Sequence, residues 1–164
     1  PAVNVGLSVS RVGGAAQTRA MKSAAGTIRL DLAQYREMEV FTQFSSDLDE
    51  TTKRQLVYGQ GLMRLLRQAQ YHPLAQHEQV ILLTAALGHI MQELSPDQVG
   101  RFEARLLSDV SEQAPDLCQR IDSTGQLSPE DRSTIMDLAH RSLYAFQQEE
   151  MAAKQAAAAK KAGE

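Results

Sequence analysis

Apolar residues recur at helical spacing along most of this chain. Polar loops separate the apolar-periodic stretches, which cover residues 15–25, 27–44, 47–67, 76–91, 96–113, 115–121 and 129–148. About seven helices joined by short loops are typical of a helical bundle. The pattern therefore predicts a mainly α fold.

The first residues follow a different pattern. Val3–Val9 is a short β-type run that ends just before Arg11, and Gly13 and Gly14 follow. This order predicts the last strand of an α/β domain, with the arginine at the strand tip on a glycine turn. Residues 1–17 are thus expected to end one domain and 18–148 to form the bundle. Because the chain opens on a strand without Met, it is expected to be a piece of a longer protein.

Local signals mark where several helices begin and end. Asp47 followed by Glu50 suggests a capping box, and Ser95-Pro96 with Gln98 is a second start signal. Ser128-Pro129 repeats the Ser-Pro signal for the last helix. The Ala/Lys-rich tail at 149–164 either extends that helix or frays.

Two helices carry unusual apolar patterns. The apolar arc of 27–44 includes Leu30 and Val40 beside its main stripe, which predicts a largely buried helix. In the helix over 47–67, Gly59 and Gly61 each weaken helix formation by about 1 kcal/mol relative to alanine. We expect close packing or a bend at these glycines.

Composition excludes several classes of protein. The net charge is −3 and no basic block occurs, which disfavours nucleic-acid binding. The longest apolar run, Val80–Met91, is shorter than the roughly 20 residues that cross a bilayer, so no membrane insertion is expected. The single cysteine, Cys118, excludes an internal disulfide and fits a reducing compartment.

Two groups of residues are candidates for ligand binding. Arg11 either binds a phosphate or carboxylate through its forked guanidinium or is an ordinary surface arginine. Gln68 and Gln70, two residues apart in a loop, either contact the polar edge of a base or face water. Lys22 follows Met21 inside a helix, so no phosphate loop of the Walker type is present.

The remaining polar residues suggest little chemistry. The four histidines lack metal-ligand spacing, so no metal site is predicted. Glu149 and Glu150 are expected to be solvated residues at a helix end. The turn at Glu93, Leu94 and Ser95 is expected to form the tip of a protruding helical hairpin, either a partner contact or an ordinary connection.

Four segments resemble the alpha subunits of F-type ATP synthases. They are PAVNVGLSVSRVGGAAQ at 1–17, LAQYRE at 32–37, SDLD at 46–49 after Phe44, and QAQY at 68–71 before Pro73. The similarity runs in order to about Phe146, and the first segment is highly specific. The resemblance implies the last strand of the nucleotide-binding domain followed by the C-terminal helical domain.

The resemblance also implies an assembly. Alpha subunits alternate with beta subunits in a hexameric head around a central gamma stalk, with a peripheral stalk outside. ATP or ADP with magnesium is bound in the complex, which couples transmembrane ion flow to ATP synthesis or hydrolysis. The expected location is the cytoplasmic face of a bacterial plasma membrane, with mitochondrial or plastid membranes as alternatives.

Individual residues take roles from the same resemblance. Arg11 matches the arginine finger that reaches the gamma-phosphate held by the neighbouring beta subunit, and Val9 matches a residue lining that interface. Pro1, Gln68 and Gln70 match residues bordering the adenine of the alpha subunit's own, non-catalytic site. The tip at 93–95 would face the central stalk.

Several residues of the family's nucleotide-binding site have no counterpart in this sequence. The Walker loop, the magnesium ligands and the arginine that normally precedes Pro1 are absent from these residues. The chain alone is therefore expected to hold no cofactor and to be inactive. Two alternatives are a free-standing helical interaction module, in which Arg11 is incidental, and an autonomous nucleotide-binding enzyme, which the missing phosphate loop disfavours.

Overall fold

A computed structural model describes residues 11–42, 49–68 and 71–162. Within these residues it contains eight α-helices and one 3-10 turn: α1 (Arg11–Ala16), α2 (Arg19–Ala24), α3 (Ile28–Thr42), α4 (Glu50–Leu65), α5 (Gln76–Leu87), the 3-10 turn (Ile90–Glu93), α6 (Pro96–Gln113), α7 (Pro115–Thr124) and α8 (Pro129–Ala162). The predicted helical bundle is confirmed. The predicted strand Val3–Val9 lies outside the described residues.

The segment that follows Arg11 is helical instead of a turn. α1 contains both Gly13 and Gly14, so the glycine turn predicted there is wrong. The single helix predicted over 15–25 is also wrong, because Thr18 has extended backbone angles and its hydroxyl accepts a hydrogen bond from Met21 N at 3.3 Å. That cap begins α2 as a separate helix.

Helix α5 is the centre of the core. Every residue from Val80 to Ala86 is buried, and α5 packs against α2, α4, α6, α7 and α8. A helix that is apolar on all sides is stable only when neighbours cover it on all sides. The predicted helix over 76–91 is shorter in the structure, because His89 adopts a left-handed backbone and the 3-10 turn follows.

The helix starts that were predicted from Ser-Pro pairs are confirmed. Ser95 N donates to Gln98 Oε1 at 2.9 Å at the start of α6. At the start of α8, Asp131 N donates to Ser128 Oγ at 3.0 Å and Ser128 N donates to the Asp131 carboxylate. The start of α4 differs, since Asp49 is the cap; the predicted cap, Asp47, lies outside the described residues.

Helices α6 and α8 are joined by ion pairs over an apolar seam. Arg105 binds Glu149 at 2.9 Å and Asp109 at 3.0 Å, and Arg101 binds Glu150. The helix end predicted at Glu149 and Glu150 is wrong, because α8 continues as one helix to Ala162. Glu149 is solvent-exposed as predicted, with 62% of its side chain accessible, whereas Glu150 is only 19% exposed.

Helix α3 is buried along one stripe only. Ile28, Leu32 and Tyr35 are buried, whereas Leu30 is 61% exposed and Val40 is 56% exposed. The prediction of a largely buried helix is wrong because α3 packs chiefly against α4 and lies at the edge of the bundle. An apolar arc shows which residues can be buried, but not whether a second neighbour covers them.

Gly59 allows α3 and α4 to approach each other closely. A β-carbon at this position would overlap the Cβ and ring carbons of Tyr35, which is buried and donates its hydroxyl to Glu39 Oε1 at 2.9 Å. Gly59→Ala should therefore destabilise the chain by about 1–3 kcal/mol, since Tyr35 cannot move without losing its packing. Chemical denaturation followed by circular dichroism measures the change.

Gly61 supplies the matched control in the same helix. A β-carbon there meets nothing within 4 Å. Gly61→Ala should stabilise the chain by up to about 1 kcal/mol, because alanine favours helix and no contact opposes it. Equal stability changes for the two variants would contradict the close approach of Gly59 to Tyr35.

Candidate functional site

The structure describes only some of the predicted site residues. Arg11 is the first residue of α1, and its side chain lies outside the described part of the chain. Pro1, Val9 and Gln70 also lie outside the described residues. The geometry available therefore concerns Gln68 and the connection that contains Leu94 and Ser95.

Gln68 lines a small, leucine-rich cavity beyond the end of α4. The cavity has a volume of about 240 Å³. It is lined by Leu65, Leu66, Gln68, Leu74, Gln79, Leu82 and Leu83. Gln79 Nε2 donates to Leu74 O at 2.8 Å, which ties the loop after Pro73 to helix α5. The cavity thus combines leucine side chains with two side-chain amides, and that of Gln79 is already bonded to the backbone.

The residues around Gln68 limit the kind of group that the cavity can bind. Leucine side chains together with a side-chain amide are the groups that a flat heteroaromatic ring needs, since its polar edge takes hydrogen bonds while its faces need apolar contact. Among the described residues that line the cavity, none carries a charge. This set of lining residues therefore supplies no cation for a phosphate group.

Tyr71 is a feature of the same loop that sequence reasoning missed. Its backbone is left-handed, with φ of 64°, and its side chain is 89% exposed. A left-handed tyrosine is uncommon, and an exposed aromatic ring in a loop is available for stacking. An aromatic residue between the two predicted glutamines and Pro73 is the signal that was present in the sequence.

The connection between α5 and α6 folds back onto the bundle. Ile90, Met91 and Leu94 are each less than 5% exposed, and the 3-10 turn packs against α4, α5 and α8. The Tyr58 ring lies 4.6 Å from the His89 ring, which adds an aromatic contact to α4. The predicted protruding tip is therefore wrong as a shape, because the apolar side chains of the turn have a core to enter.

The three residues predicted to contact a partner, 93–95, differ in how much of each is exposed. Leu94 is only 3% exposed, so its side chain belongs to the core. Ser95 is exposed and caps α6. Glu93 closes the 3-10 turn, and its side chain lies outside the described part. A stalk contact at Glu93, Leu94 and Ser95 stays a prediction, although the Leu94 side chain is buried in the bundle.

The histidines and acidic residues form local contacts. His77 Nδ1 lies 2.7 Å from Asp122 Oδ2, and His77 N donates to the same carboxylate at 3.0 Å, which joins α5 to α7. Over residues 11–42, 49–68 and 71–162, no group of three or more potential ligands could hold a metal ion. Along those same ranges, every helix is too short or too polar to cross a bilayer.

Glu103 is an acidic group on α6 whose partial burial affects stability. Burial on α6 raises its pKa from about 4.5 to about 7. Between these values the native chain binds more protons than the unfolded chain, so stability falls as pH rises from about 4.5 to about 7. Glu103→Gln should remove this pH-dependent loss of stability. At pH 8 the variant should therefore be more stable than the original chain by roughly 1 kcal/mol, allowing for solvent screening.

The melting temperatures of the original chain and of each variant, measured at several pH values, test this prediction. Glu112→Gln, at an exposed position of the same helix, is the control for removing one acidic group. Parallel pH curves for the original chain and Glu103→Gln would contradict the raised pKa.

Comparison with known protein families shows which family the helical bundle belongs to. A family profile described as "ATP synthase alpha/beta chain, C terminal domain" matches residues 17–142, which is more than half of the chain. The chain belongs to this ATP synthase domain family. The matched residues include all of α2 to α7 and the first part of α8, so the family domain coincides with the bundle described above.

Two relatives carry the alpha-subunit name. "ATP synthase subunit alpha" of Petrotoga mobilis is 44% identical over 146 residues, and that of Rickettsia bellii is 44% identical over 135 residues. The alignments cover 89% and 82% of this chain, but only 29% and 26% of the relatives. The chain thus spans less than a third of the length of the alpha subunits that it matches.

Proposed function

We propose that the chain is the C-terminal part of an ATP synthase alpha subunit that acts within the rotary head. The observation that carries the proposal is its 44% identity, over most of its length, to proteins named as alpha subunits. In this role the chain assembles with beta subunits, the gamma stalk and the peripheral stalk. The assembled complex lies at a membrane and couples ion flow across it to ATP synthesis or hydrolysis.

Arg11 contributes to catalysis in the neighbouring subunit under this proposal. Its guanidinium supplies paired N–H donors to the terminal phosphate of a nucleotide that the beta subunit binds with magnesium. Charge spreads over the phosphate oxygens during phosphoryl transfer, so a cation from another chain lowers the barrier only while the interface is closed. Supplying this cation from a second subunit couples the reaction to subunit geometry.

Gln68 has a separate role in the alpha subunit's own nucleotide site. It lines the leucine-rich cavity of about 240 Å³, which in this proposal takes the adenine base and leaves the phosphates to the preceding domain. Pro1 and Gln70 complete the border of that base, and Val9 lines the interface near Arg11. The chain alone binds no nucleotide tightly, because it lacks residues for the phosphates.

A chimeric alpha subunit tests the proposal. This chain replaces the matching C-terminal part of a bacterial alpha subunit, and the product is expressed with that enzyme's beta and gamma subunits. We expect a hexameric head that hydrolyses ATP. The control chimera carries the C-terminal domain of the beta subunit instead, and it should not assemble. A chimera that folds but never associates with beta subunits would refute the proposal.

A further inference from the structure

Helices α3 and α4 enclose a polar groove on the outer side of the bundle. Its volume is about 380 Å³. Three arginines line it, together with Glu39 and Gln60: Arg36 from α3, and Arg64 and Arg67 from α4. This arginine groove is separate from the cavity beside Gln68.

The arginine groove is positively charged in a chain whose net charge is −3. Among the described residues that line the groove, Glu39 carries the one carboxylate, and it accepts a hydrogen bond from the Tyr35 hydroxyl. Arg64 also lies 3.5 Å from Asp97, whose side chain is 91% exposed. An ion pair this exposed contributes little free energy, so a carboxylate from another molecule can replace Asp97.

Exposed apolar residues flank the arginines on the same faces of the two helices. Val40 lies one turn after Arg36 on α3 and is 56% exposed. Val57 lies one turn before Gln60 on α4 and is 40% exposed. Residues three or four apart share one helix face, so the valines extend the surface that the arginines form.

We propose that the arginine groove binds an acidic amphipathic helix of a partner protein. Its carboxylates pair with Arg36, Arg64 and Arg67, while its apolar residues contact Val40 and Val57. A small oxyanion would leave the two exposed valines uncovered, whereas a helix laid along α3 and α4 contacts the arginines and the valines together. The inference does not depend on the role of Arg11.

A designed peptide tests this inference on the 164-residue chain. The fluorescent probe is a helical peptide of about 15 residues, with glutamates at i, i+3 and i+7 and leucines beside them on one face. Fluorescence anisotropy should show saturable binding that weakens as salt is added. A second peptide with glutamine in place of every glutamate should bind at least about tenfold more weakly.

Matched variants of the chain locate the binding site. The triple change R36Q, R64Q and R67Q should weaken binding of the acidic peptide by about tenfold. The control triple R19Q, R141Q and K154Q removes the same charge from exposed positions on α2 and α8, and should change binding less than twofold. Circular dichroism shows whether each variant keeps the helical fold, and the two peptides test the charge requirement without any variant.

Several results would overturn the inference. Absence of peptide binding, equal binding of the acidic and glutamine peptides, or equal weakening by the two triple variants would each exclude the arginine groove as an acidic-helix site. Full displacement of the peptide by inorganic pyrophosphate at similar concentration would identify a small-oxyanion site instead. None of these results bears on assembly of the chimeric alpha subunit, so the two proposals fail separately.

Discussion

Replacing Arg11 by lysine should reduce ATP hydrolysis by the assembled complex about 10³-fold or more, with little change in nucleotide affinity. Lysine keeps the positive charge but has one ammonium in place of the planar fork, so it cannot donate two parallel hydrogen bonds to one phosphate. The loss concerns an interaction that strengthens as charge spreads in the transition state. For this reason kcat falls while binding persists.

The measurement uses the chimeric alpha subunit with its beta and gamma partners. Steady-state hydrolysis gives kcat, and fluorescence titration with a nucleotide analogue gives affinity. Arg19→Lys, at an exposed arginine on α2, is the matched control and should hydrolyse ATP at the original rate. Hydrolysis by Arg11→Lys within a few fold of the control would exclude the role proposed for Arg11.

Much of the fold is predictable because short stretches of sequence determine it. The caps at Ser95 and Ser128 depend on hydrogen bonds to residues three positions away, which the sequence shows directly. The central position of α5 follows from its composition, because a helix without a polar face needs cover on every side. Neither inference requires knowledge of which helix is the neighbour.

The wrong predictions concern residues whose environment depends on distant parts of the chain. Leu30 is exposed because no described helix covers that side of α3, and Leu94 is buried because the 3-10 turn packs against α4. Glu149 and Glu150 are paired because α6 places arginines opposite them. Sequence periodicity gives the faces of a helix but not its partners.

The candidate site was predictable to different degrees. Arg11 was proposed from a specific run of residues around it, and its role rests on resemblance, not on packing. The cavity beside Gln68 depends on leucines from α4 and α5 that meet only in the folded chain. Tyr71 was missed because its left-handed backbone cannot be inferred from residue type.

Replacing Phe102 by alanine should have the largest effect on the stability of the bundle. Phe102 is fully buried on α6, and its ring packs edge-on against Phe146 of α8 at a centroid distance of 5.9 Å. Removal of the ring leaves a cavity at the α6–α8 seam. The expected loss is about 3–5 kcal/mol, which is a large part of the stability of a domain this size.

Urea denaturation of the 164-residue chain measures the loss. Phe102→Leu fills most of the space and should cost less than Phe102→Ala, whereas Tyr144→Ala removes a ring that is 67% exposed and should change stability by less than about 0.5 kcal/mol. Arg101 lies over the Phe146 ring at 5.7 Å, so the alanine variant should also weaken the Arg101–Glu150 pair. A loss for Phe102→Ala no larger than that for Tyr144→Ala would mean that α6 and α8 are not held together by this aromatic contact.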